Sequence, residues 1–164
     1  MPQIRLIPID DKLCGVVKHA PDEFAGTFGA SLGDSTQVVQ DVVKQTLALF
    51  ATSPRAAEWG GFLVADPERA LVIGSCGFTH GPEADGSVEI AYFTFPEFEG
   101  RGYATAMAAE LLRRSRQSDS VSKVIAHTVP ERNASTRILE KIGMERAGEA
   151  EDADVGKVWL WQVH

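Results

Sequence analysis

Two glycines one residue apart, Gly100 and Gly102, separate a run of β-branched and aromatic residues from a run of good helix formers that begins at Tyr103. A helix start leaves four peptide N–H groups without partners and gathers partial positive charge there. Glycines just before it let the backbone turn sharply and approach a ligand closely. Such a turn can wrap an anion, most often a phosphate. Gly-x-Gly before a helix is also an ordinary strand-to-helix connection. The other residues able to do chemistry are Glu89, His80 and His127 near strand ends, and Asn133 and Ser135 at the opening of a later helix. A carboxylate or an imidazole can take a proton, and a serine hydroxyl can donate one. Each also has a plainer use: Glu89 on the wet face of a strand, the histidines as structural residues, Asn133 and Ser135 as helix caps.

The elements that must hold these residues follow from local pattern. Residues 88–95 suit a pleated surface, and Pro96, which has no N–H for a ladder, ends the strand. In the helix after the glycines, Ala104, Ala108, Leu111 and Ser115 fall on one face. Earlier in the chain, residues 4–8 read as an edge strand, 10–18 as a helix and 21–33 as a loop or broken helix. Asp34 and Gln37 have the spacing of a capping box for a helix reaching Ala51, with Val39, Val43, Leu47 and Phe50 on one face. Residues 59–65 and 70–79 read as a hairpin around Asp66-Pro67-Glu68-Arg69, and 123–129 as a buried strand. A helix over 133–142 has Gly143 as its C′ residue, and strands over 145–149 and 155–163 close the chain. Between those strands runs an acidic stretch, Glu149-Ala150-Glu151-Asp152-Ala153-Asp154. Trp59, Trp159 and Trp161 read as packing residues.

The chain as a whole sets limits. Its 164 residues are expected to form one domain, 1–164, large enough for a substantial core. A formal net charge of -7 argues against general nucleic-acid binding. Cys14 and Cys76 have no metal-ligand spacing and make no disulfide framework, which fits a reduced, cytoplasmic setting without a metal. The start of the chain does not read as a signal peptide, and no apolar run is long enough for a membrane span.

Glu99-Gly100-Arg101-Gly102-Tyr103-Ala104 resembles the acyl-CoA pyrophosphate loop of the GNAT superfamily of N-acetyltransferases, whose pattern is Gln/Arg-x-x-Gly-x-Gly/Ala. The stretch from Pro130 through Asn133-Ala134-Ser135 to Gly143-Met144 resembles that family's second signature, close to its ribosomal-protein acetyltransferase-like branch. The two occur in the expected order, with a helix and a strand between them. The resemblance implies an α/β fold with a mixed, mostly antiparallel sheet, splayed in the middle, and helices on both faces. It also implies acetyl-CoA as cosubstrate and a primary amine as acceptor, on a protein N-terminus or a small molecule. A homodimer is left open. The rival function is a CoA-binding sensor or scaffold with little or no transfer.

Amine acylation requires a neutral amine, a polarised carbonyl and a stabilised leaving thiolate. A lysine-like amine is neutral only about once in 2,500 molecules at pH 7, whereas an α-amine is far closer to neutral. By resemblance, Glu89 is the base, directly or through water, with His80 and His127 as alternatives. The N–H of Phe93 would polarise the carbonyl, and the backbone of Phe93 and Phe95 would pair with the pantetheine arm. Gly100, Arg101, Gly102, Tyr103, Ala104 and Thr105 would cradle the pyrophosphate, with the Arg101 side chain adding charge. Asn133 would hold pantetheine or a water. The tyrosine that many members use for the thiolate is replaced by Leu139, so Ser135 takes that role. Glu99 stands where Gln or Arg is usual and should turn to solvent, and Arg132 occupies the usual Asn place.

Overall fold

The computed structural model describes residues 1–164. Its sheet grows from a hairpin in which β2 (Gly61–Asp66) and β3 (Leu71–Phe78) pair antiparallel. Asp66 closes the turn by accepting from the N–H groups of Glu68 and Arg69 at 2.9 and 3.2 Å. β1 (Arg5–Pro8) adds to the outer edge of β2, and β4 (Ser87–Thr94) pairs antiparallel with β3. A right-hand half consists of β5 (Lys123–Thr128), β6 (Glu145–Asp152) and β7 (Gly156–Val163). The strand order is β1-β2-β3-β4-β5-β7-β6, and only β4 and β5 run parallel.

That parallel pair is short. Ser87, Val88 and Glu89 sit opposite Lys123, Val124 and Ile125, and pairing then stops although both strands continue. The sheet therefore splays, as expected. Helix α4 (Tyr103–Ser115) crosses from β4 to β5 and packs Met107, Ala108 and Leu111 on the sheet, with no exposed surface at any of the three. α5 (Ala134–Lys141) lies beside α4. The opposite face carries α1 (Asp11–His19), the short α2 (Phe24–Phe28) and α3 (Thr36–Thr52). Asp10 caps α1 by accepting from the Leu13 N–H at 2.9 Å, which also orients Leu13 and Val17 into the core.

Three expectations change. The capping box of Asp34 and Gln37 does not form: a 3-10 turn over Gly33–Ser35 delays the helix, Ser35 becomes its N-cap, and Gln37 bonds Asp41 instead. Leu47 is 45% exposed while Val39 and Val43 are buried, because α3 rests its first half on α1 and its second half stands off the sheet. The acidic stretch is mostly strand: Glu149 to Asp152 extend β6, and only the turn beyond them connects to β7. Gly143, at φ +95°, does end α5, with the Met144 N–H bonded to the Leu139 carbonyl at 2.9 Å. Trp59 and Trp161 are buried, and Trp161 donates its indole N–H to the Thr128 hydroxyl at 2.9 Å.

Candidate active site

Gly100 and Gly102 both adopt left-handed backbone, at φ +77° and +86°, so the turn needs glycine at each position. Gly102 is the N-cap of α4 and gives it no side-chain cap. The first intrahelical bond from outside the helix body is Ala106 N–H to the Gly102 carbonyl at 3.1 Å. The N–H groups at the start of the 13-residue helix α4 therefore lie open. They face a groove of about 650 Å³ between β4, α4 and α5. Glycine, Tyr103, Ala104 and Thr105 border it, as the sequence suggested. The Tyr103 ring, however, is buried, and its hydroxyl donates to Asp66 Oδ2 at 2.5 Å, so only its backbone serves the groove. The Arg101 side chain is exposed and is not one of the groove walls; Arg137 and Lys141 of α5 supply the positive charge there. Glu99 is exposed, at the rim.

The phase of the β3–β4 ladder corrects a second assignment. Thr79 N–H bonds the Glu89 carbonyl at 3.0 Å, and Phe95 N–H bonds the Ile73 carbonyl at 2.9 Å. In an antiparallel ladder the residues that exchange both bonds alternate. With an unbroken register between those two bonds, odd-numbered residues of β4 turn their peptide groups to β3. Phe93 and Phe95 thus have their N–H groups committed within the sheet. The peptide groups of Tyr92 and Thr94 point the other way, into the gap beside β5. The hydroxyl of Thr94 is buried without a partner, also at this wall. Single-strand sequence cannot tell odd from even in such a ladder; only the register does.

Glu89 lies where the sheet begins to part. One carboxylate oxygen accepts from the Thr79 hydroxyl at 2.5 Å, and the other contacts His127 Nδ1. His127 sits on β5 across the gap, so Glu89 and His127 form one constellation rather than rival bases. His80 is not part of it: its Nδ1 is held by the Gly81 carbonyl at 2.8 Å. Asp152 of β6 enters the same pocket of about 260 Å³, as does Ser135. The N–H groups of Asp154 and Val155 hold the Asp152 carboxyl below its ordinary range. With Nδ1–H of His127 donating to the Glu89 carboxylate, Nε2 is left as an acceptor.

Ser135 borders both this pocket and the groove, and its hydroxyl has no partner within the protein. Capping of α5 falls to its neighbours. Asn133 Oδ1 accepts from the Thr136 N–H at 3.1 Å, and Thr136 Oγ1 accepts from the Asn133 N–H at 3.0 Å. Asn133 is therefore the N-cap of α5, with its Oδ1 committed to the Thr136 N–H. Leu139, at the place of the usual tyrosine, has no exposed surface. Tyr92 borders the groove, the Glu89 pocket and a third cavity under α3. Burial pushes its phenol up to about 12, so it stays protonated near neutral pH. Burial likewise pushes the Cys76 thiol up to about 12, which leaves it inert as a nucleophile. No three His, Cys, Asp or Glu side chains converge as metal donors would, and no helix is long and apolar enough to cross a membrane.

The acetyltransferase (GNAT) domain model matches residues 13–145. The chain is 26% identical over 103 residues to the uncharacterized N-acetyltransferase p20 of Bacillus licheniformis, a stretch covering 63% of this chain and 58% of that relative. It is 33% identical over 60 residues to the uncharacterized N-acetyltransferase YnaD of Bacillus subtilis, covering 37% and 35% of the two chains. The aligned stretches thus span little more than half of the first relative's length. Among solved structures, a GNAT-family acetyltransferase from Bacillus anthracis aligns with a TM-score of 0.64 at 18% identity, covering 98% of this chain and 93% of that one. RimL, a ribosomal alpha-N-protein acetyltransferase solved with coenzyme A, aligns with a TM-score of 0.66 at 12% identity, covering 99% and 94%. A spermidine N-acetyltransferase SpeG chimera from Vibrio cholerae aligns at 0.64 and 16%, covering 98% and 93%. At such identities the likeness is one of fold, and it singles out no branch.

Proposed function

The chain belongs to the GNAT acetyltransferase family, and we propose that it moves an acetyl group from acetyl-CoA to a primary amine by direct attack in a ternary complex. The observation that carries this reading is the meeting of an uncapped helix start, an unpaired strand edge and the Glu89–His127 pair around Tyr92. The pyrophosphate lies on the open N–H groups of residues 100–105, with Arg137 and Lys141 beside it. The pantetheine arm pairs with the peptide groups of Tyr92 and Thr94, as an added strand would. The Tyr92 N–H then points at the thioester oxygen, where negative charge grows as the amine adds.

The nitrogen lone pair attacks the carbonyl carbon, a C–N bond forms and the C–S bond breaks. The amine proton passes to the Glu89–His127 pair and on through Ser135 or a water to the departing thiolate, so Ser135 regains the proton it gives and CoA leaves as the thiol. Thr79 fixes the carboxylate so that its charge faces the gap. The acceptor is a protein N-terminus, in the manner of the ribosomal-protein branch, or a small amine. The free thiols Cys14 and Cys76 fit a cytoplasmic setting.

Steady-state release of CoA thiol with a panel of amines tests the reading. Glu89→Gln should lower kcat by about 100-fold or more, in the range of a lost general base, with acetyl-CoA binding unchanged. Tight acetyl-CoA binding with no amine consumed by the wild type, and no effect of Glu89→Gln, would instead establish a CoA-binding sensor.

A further inference from the structure

The third cavity, of about 260 Å³, lies between the second half of α3 and the sheet face opposite α4. Ser75, Gly77 and Ala91 form a low floor, and Val42, Leu49 and Phe50 of α3 form a wall. It is continuous with the chemistry. Thr79, Ala91 and Tyr92 also border the Glu89 pocket, and Tyr92 and Phe93 also border the long groove. Phe93 is 42% exposed in the middle of a central strand, and Leu49, on the α3 wall, is 37% exposed. Two large apolar side chains that line the cavity are thus partly open to water beside the Glu89 pocket.

The lining carries no charge: its polar residues are Gln45, Thr46, Ser75, Thr79 and Tyr92. A cation stands at its Phe50–Phe78 end. The Arg55 guanidinium lies 5.2 Å from the Phe50 ring centre, and it donates to the Phe78 carbonyl at 2.7 Å. Its second terminal nitrogen is buried without a partner. With Glu89, held by Thr79, already engaged by the reacting amine, a second ammonium at the Phe50–Phe78 end would lose its hydration and meet Arg55. An uncharged apolar group would cover Phe93 and Leu49 and remove them from water. The volume is just below the roughly 300–1,000 Å³ of drug-sized sites, so the group is small.

We propose that this cavity seats the body of the acceptor, and that the acceptor is a small monoamine with an uncharged apolar body, an alkylamine or arylalkylamine, rather than a polyamine or a peptide. The assignment rests on the transferase reading for the placement of the amine at Glu89. Hexylamine and 1,6-diaminohexane differ only in the second ammonium, and together with 2-phenylethylamine and a trialanine amide they make the test. Two measurements are run on the full chain: kcat/KM with acetyl-CoA, and calorimetric binding of each amine to protein saturated with CoA. The monoamines should exceed the diamine and the peptide at least 10-fold in either measurement, and Leu49→Glu should abolish or invert that preference. Leu49 lies on the exposed side of α3, so the variant is expected to fold, and circular dichroism checks it. Monoamine-selective binding that depends on Leu49 but without turnover would uphold the cavity and overturn the transferase reading. Turnover with the diamine or peptide favoured, or no effect of Leu49→Glu on selectivity, would overturn the cavity assignment and leave the transferase reading intact. Absence of monoamine binding and turnover would overturn it as well.

Discussion

The Tyr103 hydroxyl donates to Asp66 Oδ2 at 2.5 Å, and both residues are buried. The contact ties the first residue of α4 to the end of β2, two strands away from the groove. Burial alone would push the Asp66 carboxyl up, but the Tyr103 hydroxyl and the Arg69 and Glu68 amides hold it below its ordinary range. The position of the glycine turn is thus set from the interior of the sheet. Tyr103→Phe should cost about 1–3 kcal/mol, the penalty of a buried acceptor left short of a donor. A scan of thermal unfolding should show Tm lower by about 2–4 °C for each kcal/mol, with CoA affinity reduced in parallel.

Gly102→Val meets two obstacles. The backbone there is left-handed, and a Cβ would come within 3.2 Å of Pro2 Cδ. A branched side chain would also stand over the open N–H groups. Calorimetry with CoA should show at least a 10-fold loss of affinity, with far-ultraviolet circular dichroism close to wild type. Wild-type affinity would remove the phosphate role from this turn.

Amide exchange reads the phase of β4 directly. In the free protein the Tyr92 and Thr94 amides should exchange quickly, because no strand pairs with them beyond Glu89. CoA should protect both by about 10-fold or more, the effect of adding a strand-like partner. The Phe93 and Phe95 amides should be protected in both states. Protection gained at Phe93 instead would show that the ladder has the opposite phase.

Glu110 offers a pH test remote from the chemistry. Arg113 and Arg114 bond its carboxylate at 2.7 to 3.0 Å. The Arg113 contact, the largest cause, together with Arg114 holds the pKa down to about 2, against an ordinary 4.5. A depressed folded pKa gives stability that is complete above the unfolded value and fades as pH falls toward about 2. Arg113 is 57% exposed, so solvent screening limits the contribution to about 1 kcal/mol. Urea unfolding should find Glu110→Gln less stable than wild type at pH 7, with the difference shrinking steadily below pH 4.5.

What could be read in the chain was whatever depends on neighbours in sequence. Left-handed glycines at 100, 102 and 143 announce themselves because few other residues tolerate such backbone. The splayed α/β sheet followed from the two signatures and their order. What could not be read depends on partners far away. The choice of Tyr92 over Phe93 rests on which strand β4 faces, and the sequence of β4 alone suits either. Arg101 lies beside the glycines but turns outward, while Arg137 and Lys141, more than thirty residues on, reach the groove because α5 packs on α4. Asn133 alone suits a cap or a ligand; the capping box follows only from Thr136, three residues along. Leu47 fits the helix period, yet period cannot say where a helix parts from the body beneath it.

β4 and β5 touch over only three residue pairs before they part. Half of the sheet is therefore joined to the other half by a narrow seam and one crossing helix. On the proposed reading, a thioester arm laid along Tyr92 and Thr94 acts as a splint, so that loading the donor also stiffens the molecule. The acceptor's cavity borrows Tyr92 and Phe93 from that same strand. On that reading the amine should bind more tightly once CoA is in place, which calorimetry of the amine with and without CoA would show.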